Sequence, residues 1–588
     1  MAGKSVKILG LSFFYHDAAA ALIIDGKVVA AAQEERFTRI KHDPAFPKRA
    51  ADFCLKFGGF KIDDLDYIVF YEKPLNKFER LLMTYIKVWP HGLVSFLKAT
   101  EAWFKDKLWV EHKIRKELSF RGKILYTEHH YAHAASAYYC SDFDESVVVT
   151  MDGVGEWDTT TVGFGRGNQL KLFKSIHFPD SLGLFYSALT YYLGFKVNSA
   201  EYKVMGLAPY GNPEVYAESF RKLIQVREDG SFKLNMKYFA YEYGLTMTNK
   251  KFDKLFGGPP RKPEAVIEKR HQDIAAALQR ITEEIVLKIA RHAKTLYPSK
   301  NLCLAGGVAL NCVANGRILE QGIFQNIYIQ PAAGDAGGSI GAALYVYYDV
   351  LGHSRQNQVM PTAFWGPEYF DSKIKSFLDH KKAAYEFLSD NDLIERVASL
   401  LNKNQVIGWF QGRMEFGPRA LGSRSILADP RHKENWQRVN LKIKFRESFR
   451  PFAPAVLFEA AGKYFKLNAS SPYMLLVAQV KRGNEIPAVT HVDNSARIQT
   501  VSKADNKRFY ELLKAFENIS GCPVLINTSF NVRGEPIVES PEDAFNCFIN
   551  TEMDYLALGN YLIAKKDNLH FLDMGRREKY LESFRLTG

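Results

Sequence analysis

Glu128-His129-His130-Tyr131-Ala132-His133-Ala134-Ala135, followed by Met151-Asp152-Gly153, is the stretch from which the fold of this chain is read. His129 and His133 stand four apart in a run of helix formers free of Pro and Gly, so a helix puts both imidazoles on one face. The apolar run Val147-Val148-Val149 predicts a buried strand that delivers Asp152 at its end. Two imidazoles and a carboxylate form a mixed nitrogen and oxygen donor set, which suits a divalent first-row metal and leaves positions open for substrate. A His-x-x-x-His pair alone reads first as a polar helix surface. Further carboxylates decide the matter, and Asp335, after a later strand, sits where a fourth ligand would come from.

Outward from that strand the chain repeats one grammar. Val6 to Phe14 reads as a strand, Tyr15-His16-Asp17 as a polar loop, and Ala20–Ile24 with Lys27–Ala30 as a hairpin across Asp25-Gly26, whose residues tolerate positive φ. Ser146 to Met151, Asp152-Gly153-Val154-Gly155 and a hairpin across Gly165-Arg166-Gly167-Asn168 repeat the order. Two copies predict a duplicated α/β domain of actin and hexokinase-like architecture, with its ligand cleft between the halves.

Two insertions interrupt it. Pro74 to Glu117 is helical and rich in Trp, Phe and Lys; Asn212 to Arg261 is more polar. Within the first, Leu81 to Leu97 is apolar but broken by Lys87, Pro90 and His91, and reads as helices packed on the core rather than a membrane-surface segment. Glu264 to Tyr297 is predicted as one long amphipathic helix whose Ile274, Leu278, Ile281 and Ile285 face the core, with His271 structural. Asn301–Ala305 leads into Gly306-Gly307 and Asn311, and Ile327–Ile329 into a loop Gly334-Asp335-Ala336-Gly337-Gly338-Ser339. Glycine loops before helix starts let backbone amides approach a phosphate, so Gly306, Gly307, Asn311 and Gly337 are nucleotide-binding candidates.

The irregular stretch from Gly352 to Tyr369 predicts a boundary, giving domains 1–352 and 370–588. In the second, the strand Gln405–Phe410 leads into Gln411–Ser425, and Asn440–Phe452 follows. Both runs interleave Arg and Lys with Gly, Pro and Phe, as a pocket for phosphate oxyanions would. Asp493–Arg497 and Ile526–Asn531 add polar loop residues, and Pro541 to Asn550 is the last predicted helix.

Over 588 residues, 47% hydrophobic and 24% charged, the composition is that of a soluble globular protein. The net charge of +13 is dispersed rather than concentrated in a basic block, which favours phosphorylated or acidic small molecules over nucleic acid. The six cysteines form no CxxC pair, as expected of reduced buried thiols in a cytoplasmic protein. No signal peptide and no membrane-spanning run are read.

Together these motifs resemble the O-carbamoyltransferases of the NodU/CmcH type. The resemblance rests on Tyr15-His16-Asp17-Ala18-Ala19-Ala20, Gln33-Glu34-Glu35-Arg36, the His129/His133 pair, Met151-Asp152-Gly153, Glu201 to Leu207 and Glu415 to Ser425. It implies an N-terminal actin-like (ASKHA) duplicated domain with a threonylcarbamoyl-transferase-like metal site, and a C-terminal α+β YrdC-like domain. The implied reaction uses ATP, with Mg(II), and carbamoyl phosphate to form carbamoyl adenylate. The carbamoyl group then passes to a hydroxyl of a small natural-product acceptor.

Carried onto this sequence, the metal ligands are His129, His133, Asp152 and Asp335, with Fe(II) as the ion. His16 is the general base or an orienter. Lys444 and Arg450 act catalytically in an adenylate-forming pocket with Arg419, Arg497, Asn527 and Ser529. Glu201 and Lys203 are acceptor-pocket candidates. No nucleic acid or membrane partner is expected, and a homodimer is compatible with the sequence. Two other readings stand beside this one: a tRNA-modifying carbamoyl-type transferase, and a non-enzymatic nucleotide- and iron-binding actin-like protein. Basic residues confined to motifs speak against the first, and a complete Arg-rich second domain against the second.

Overall fold

The computed structural model describes residues 5–447 and 449–584. Residues 1–4, where no signal peptide is read, and Ser448 in the second basic run lie outside the described residues. The chain forms two compact units. One comprises the residues up to Glu34 together with His42–Met360; the other comprises Glu35–Lys41 and the residues from Pro361 on. The fold is mixed α/β.

In the first unit, β1 (Lys7–Ser12), β2 (Ala19–Ile24), β3 (Lys27–Gln33), β4 (Tyr67–Phe70) and β5 (Lys123–Tyr126) form a five-stranded sheet of order β3-β2-β1-β4-β5. β1 pairs antiparallel with β2 and parallel with β4; β2–β3 is antiparallel and β4–β5 parallel. The second sheet uses β6 (Glu145–Met151), β7 (Asp158–Arg166) and β8 (Gln169–His177). The small hairpin β9 (Ile224–Val226) and β10 (Phe232–Leu234) lies in the second insertion. β11 (Asn301–Ala305) and β12 (Asn326–Ile329) complete the second sheet in the order β12-β11-β6-β7-β8. Its directions repeat those of the first: β6–β7 and β7–β8 antiparallel, β6–β11 and β11–β12 parallel. The two sheets thus share one strand order and one set of strand directions. Ile8, Leu9 and Leu11 are fully buried, as both faces of a central strand must be when both are covered.

Two helices connect these sheets to the site. The histidine helix is His129–Tyr138 and the Asp335 helix is Asp335–Tyr345. They approach as closely as backbones can. A Cβ on Gly341 would lie 1.8 Å from the carbonyl oxygen of Ala132, and a Cβ on Gly10 of β1 would lie 1.8 Å from that of Ser339. Only glycine fits at either place.

Four expectations need correction. The Asp335 helix begins at Asp335, so Gly337, Gly338 and Ser339 lie inside it rather than in a loop. The long helix runs Lys269–Leu296, starting later than Glu264, because Glu268 caps it and the His271 ring accepts the Glu268 N–H at 2.9 Å. A helix at Met574–Ser583 follows the one predicted as last. The first insertion is helical, at Pro74–Val88 and Leu93–Ala102, but its apolar face is not packed on the core: Leu82, Met83, Ile86, Trp89, Val94 and Leu97 are exposed. The two insertions meet through Lys87 and Glu242 at 3.0 Å and through the Ser95 hydroxyl, which donates to the Tyr243 carbonyl at 2.8 Å. Among the described residues no helix is long and apolar enough to cross a membrane, and all six cysteines are free and buried.

The second unit is built on a nine-stranded sheet. Its strands are β13 (Glu386–Phe387), β14 (Ile407–Phe410), β15 (Arg424–Ala428), β16 (Ala453–Leu457), β17 (Leu476–Gln479), β18 (Ser495–Val501), β19 (Val524–Ser529), β20 (Tyr555–Leu558) and β21 (Tyr561–Ala564). They are ordered β13-β21-β20-β14-β15-β19-β16-β18-β17. Residues 35–41 belong to this unit. Arg39 donates to the carbonyls of Ile537 and Pro536 at 2.7 and 2.9 Å and pairs with Glu535 at 3.0 Å and Asp543 at 3.4 Å.

Candidate functional site

The site starts from where β6 and the histidine helix end up. The helix places His129 and His133 one turn apart, and their Nε2 atoms face each other at 3.0 Å. β6 carries Asp152 to its end, where Oδ2 lies 3.2 Å from His129 Nε2. The Asp335 helix brings Oδ1 of Asp335 to 3.6 Å from His133 Nε2 and 3.8 Å from His129 Nε2. One donor atom from each of the four residues lies within 4.8 Å of every other.

The surroundings aim these donors. The Gly307 N–H donates to Asp152 Oδ1 at 2.7 Å, and Tyr71 O–H donates to Asp335 Oδ2 at 3.3 Å. Glu72, held by Lys77 at 2.7 Å, lies 3.8 Å from His129 Nδ1. A carboxylate behind a histidine fixes the tautomer that presents Nε2 to an ion. The residues therefore fit a divalent first-row metal: two imidazole nitrogens and two carboxylates converge, and substrate positions stay open.

The local field agrees. Burial opposes a charged His129 ring, yet the hydrogen bond to Asp152 and the nearby carboxylates of Glu72 and Asp335 push it up to about 10. His16 behaves alike, burial being outweighed by Asp335 and Asp17, and reaches about 10. Burial alone would raise Asp152; the hydrogen bond from His129 and the charge of His133 hold it well below the usual range. This is a pocket that attracts positive charge.

His16 sits on the loop between β1 and β2. Its Nδ1 is 3.1 Å from Asp17 Oδ2, its Nε2 is 3.9 Å from Asp335 Oδ2, and the other Asp17 oxygen is 2.8 Å from His42 Nδ1. The loop holds Phe14 at φ +92° and Asp17 at φ +55°, a strained backbone of the kind that surrounding structure must impose.

His130, between His129 and His133 in sequence, points elsewhere. Its Nε2 lies 2.9 Å from the Asp158 carbonyl, which can only accept, so Nε2 carries the proton and Nδ1 accepts from Thr150 Oγ1 at 2.6 Å. Burial, then the charges of His129 and His133, depress it to about 3. The unfolded chain takes up a proton as pH falls through about 6.5, while the folded chain refuses it down to about 3. This residue's stabilisation is therefore present above about 6.5 and is lost on acidification, at about 1.4 kcal/mol per pH unit. Urea unfolding of wild type and His130→Asn should show their stability difference narrowing at about that slope below about pH 6; parallel curves would contradict it.

The glycine candidates divide. Gly306, at φ +89°, and Gly307 bend the chain against Met151 and Asp152, beside the metal donors. Asn311 is spent on capping the next helix through the Ala314 N–H and on Gln279 at 3.0 Å. The Gly337 N–H is taken by the carbonyls of Ala332 and Gly334, both at 3.1 Å. The Gly337 N–H is therefore not open to a phosphate as first read. Glu201 accepts from Ser187 Oγ at 2.9 Å and the Asn198 N–H at 2.8 Å, and Lys203 is buried on the same helix.

In the second unit Lys444 and Ser529 come together. The Lys444 ammonium donates to the Ser529 carbonyl at 2.6 Å, to Ser529 Oγ at 3.2 Å and to the Asn531 carbonyl at 2.7 Å. Burial, followed by the charge of Arg446, lowers Lys444 well below an ordinary lysine. Arg450 lies 3.5 Å from Glu447, which also faces Arg533 at 3.8 Å. Asn527 shares the β19 face with Ser529 but donates to Gln499 Oε1 at 2.7 Å. Arg419 lies between β14 and β15, and Arg497 on β18.

Part of the basic run is architecture. Arg424 is fully buried and donates to the carbonyls of Gln411, Gly412, Ser423 and Pro367, while Arg413 donates to those of Gly366 and Trp365. Buried Glu415 accepts the N–H groups of Leu421, Ser423 and Arg424 at 2.8, 2.8 and 3.1 Å. The sequence reading missed Tyr71 and Glu72. The signal was available, for they follow the apolar strand β4 just as Asp152 follows β6.

Residues 7–344 match the carbamoyltransferase N-terminus family and residues 398–565 the carbamoyltransferase C-terminus family. The chain is a member of the carbamoyltransferase family. It is accordingly a transferase. An uncharacterized protein of Synechocystis is 53% identical over 593 residues, covering 95% of this chain and 96% of its own length. The nodulation protein NolNO of Sinorhizobium fredii is 39% identical over 562 residues, covering 94% and 79%. The 3'-hydroxymethylcephem-O-carbamoyltransferase of Amycolatopsis lactamdurans is 35% identical over 284 residues, covering 47% and 51%. The four convergent donors and His16 all lie inside the span matched by the N-terminal carbamoyltransferase family.

Proposed function

We propose that this carbamoyltransferase makes carbamoyl adenylate from carbamoyl phosphate, ATP and water, releasing phosphate and pyrophosphate, and transfers the carbamoyl group to a hydroxyl of a small acceptor. The observation that carries this reading is the convergence of His129, His133, Asp152 and Asp335 beside His16, in a chain of this family. In it the first unit is the transfer domain, an actin-like duplicated fold supported by the identical strand order of its two sheets. The second is a YrdC-like adenylate-forming domain.

Transfer needs an acceptor oxygen to lose its proton as it attacks the carbamoyl carbon and AMP departs. His129, His133, Asp152 and Asp335 would hold a divalent ion, Fe(II) by the resemblance, which would polarise the carbamoyl carbonyl. His16 takes the acceptor proton at Nε2, with Asp17 on its Nδ1 fixing the ring. The charge of Asp335 raises His16; a cation sharing that carboxylate would offset this and leave the ring free to act as a base. In the second unit, Lys444 and Arg450 offset the phosphoryl charge of both substrates.

The two half-reactions should separate. Pyrophosphate release with ATP and carbamoyl phosphate is expected to fall at least about 100-fold in Lys444→Met. In His16→Gln it should stay near the wild-type rate, while carbamoyl transfer, read as added mass on a panel of alcohols, is lost. Equal loss of pyrophosphate release in both variants would refute the division of labour. No carbamoylated product from any alcohol, with release intact, would refute the acceptor class.

A further inference from the structure

The first insertion brings lysines onto the ring of Tyr15 in the β1–β2 loop. The Tyr15 ring has Lys77 Nζ at 3.6 Å and Lys107 Nζ at 4.1 Å from its centroid. Lys77 is spent on Glu72 at 2.7 Å. Lys107 has only aromatic faces, those of Tyr15 and, at 5.8 Å, Trp103. Arg80 lies over Phe178 at 5.1 Å, and its Nη1 is buried without a hydrogen-bond partner. The Tyr15 hydroxyl is likewise buried and unpartnered. Among the described residues, no carboxylate forms an ion pair with Arg80 or Lys107.

A buried guanidinium N–H without an acceptor is costly, and native proteins rarely leave one. Lys107 over the Tyr15 ring, the Tyr15 hydroxyl, and Arg80, one helical turn beyond the Lys77 that also covers that ring, offer what an oxyanion needs: charge, forked N–H groups and an O–H. The position adds meaning. Tyr15 precedes His16, and its hydroxyl feels the charges of Glu72, Arg80 and Asp335, so a group bound there lies next to the transfer centre.

We propose that Tyr15, Arg80 and Lys107 form an oxyanion-binding subsite of the first unit, which holds a phosphate, sulfate or carboxylate of a molecule using the His16 centre. The inference rests on the proposed function for which molecule that is. The oxyanion belongs either to an anionic hydroxylated acceptor or to the phosphate of the activated carbamoyl donor.

The test is calorimetric titration of the full chain with inorganic phosphate, with AMP, and with a sugar phosphate against its parent sugar. Arg80→Gln/Lys107→Met is compared with the charge-keeping Arg80→Lys/Lys107→Arg, and thermal unfolding checks the fold of both. The neutral double variant is expected to lose one phosphate site per chain, or at least tenfold in affinity, while the charge-keeping one retains most of it. Tyr15→Phe, which leaves the ring for both lysines, should weaken binding by a smaller factor. Selective loss of sugar-phosphate binding assigns the subsite to the acceptor; selective loss of AMP binding assigns it to the donor. Unchanged phosphate stoichiometry and affinity in the neutral variant overturns the proposal. No turnover is needed, so phosphate uptake that survives a failure to carbamoylate any alcohol keeps the subsite and discards the function.

Discussion

Wild-type protein reconstituted with Fe(II) is expected to hold one ion per chain, and His133→Ala or Asp335→Ala protein to hold almost none. Each variant removes one donor from a set whose atoms lie within 4.8 Å of one another, and leaves at most three. Substitutions one layer outside a metal already cost about 10–100-fold in affinity, so loss of a ligand should cost more than that. Glu72→Gln, which lies behind His129 Nδ1 at 3.8 Å and is paired with Lys77, should fall in the 10–100-fold range. Metal content by emission spectroscopy after dialysis reads all three without reference to turnover. Wild-type protein that holds no more metal than His133→Ala would show that the four donors are not a metal centre.

The second large effect needs no ligand to be touched. Gly341→Val puts a branched side chain where a single Cβ already falls 1.8 Å from the Ala132 carbonyl. Ala132 is backbone in the middle of the histidine helix and cannot rotate away. The two helices must separate by more than an ångström, carrying Asp335 away from His133, now 3.6 Å apart. Overpacking of this kind costs about 1–3 kcal/mol or more. Metal affinity should drop at least tenfold even where the chain remains folded, by circular dichroism and urea titration. Gly341→Val protein with wild-type metal affinity and stability would contradict the packing described.

How much of this was legible in the sequence depends on the kind of signal. Asp152 was visible because a run of valines ends abruptly in a carboxylate, and a buried strand explains such a break. His129 and His133 were visible because their spacing is that of a helix turn. The two hairpins could be read because hairpin chemistry, Asp25-Gly26 in one and Gly165–Asn168 in the other, is local. Close approach is not local. Gly10 and Gly341 look like any glycine until the backbone facing each is known, and Gly337 and Gly338 imitate a phosphate loop while lying within a helix. Arg424 reads as a surface or phosphate-binding arginine, yet its guanidinium is consumed by four carbonyls in the interior. The assignment of residues 35–41 to the second unit depends on partners near residue 535, which no window of sequence reveals.

That short segment has a consequence for how the polypeptide is made. Arg39 emerges from the ribosome early, but its partner Glu535 lies 496 residues downstream. At roughly 5–20 residues per second, the arginine waits on the order of 25–100 s before its carboxylate exists. A fragment started at Pro361 lacks residues 35–41, which belong to its unit. Synthesis in one piece, rather than as separately expressed halves, is therefore built into the order of the gene product.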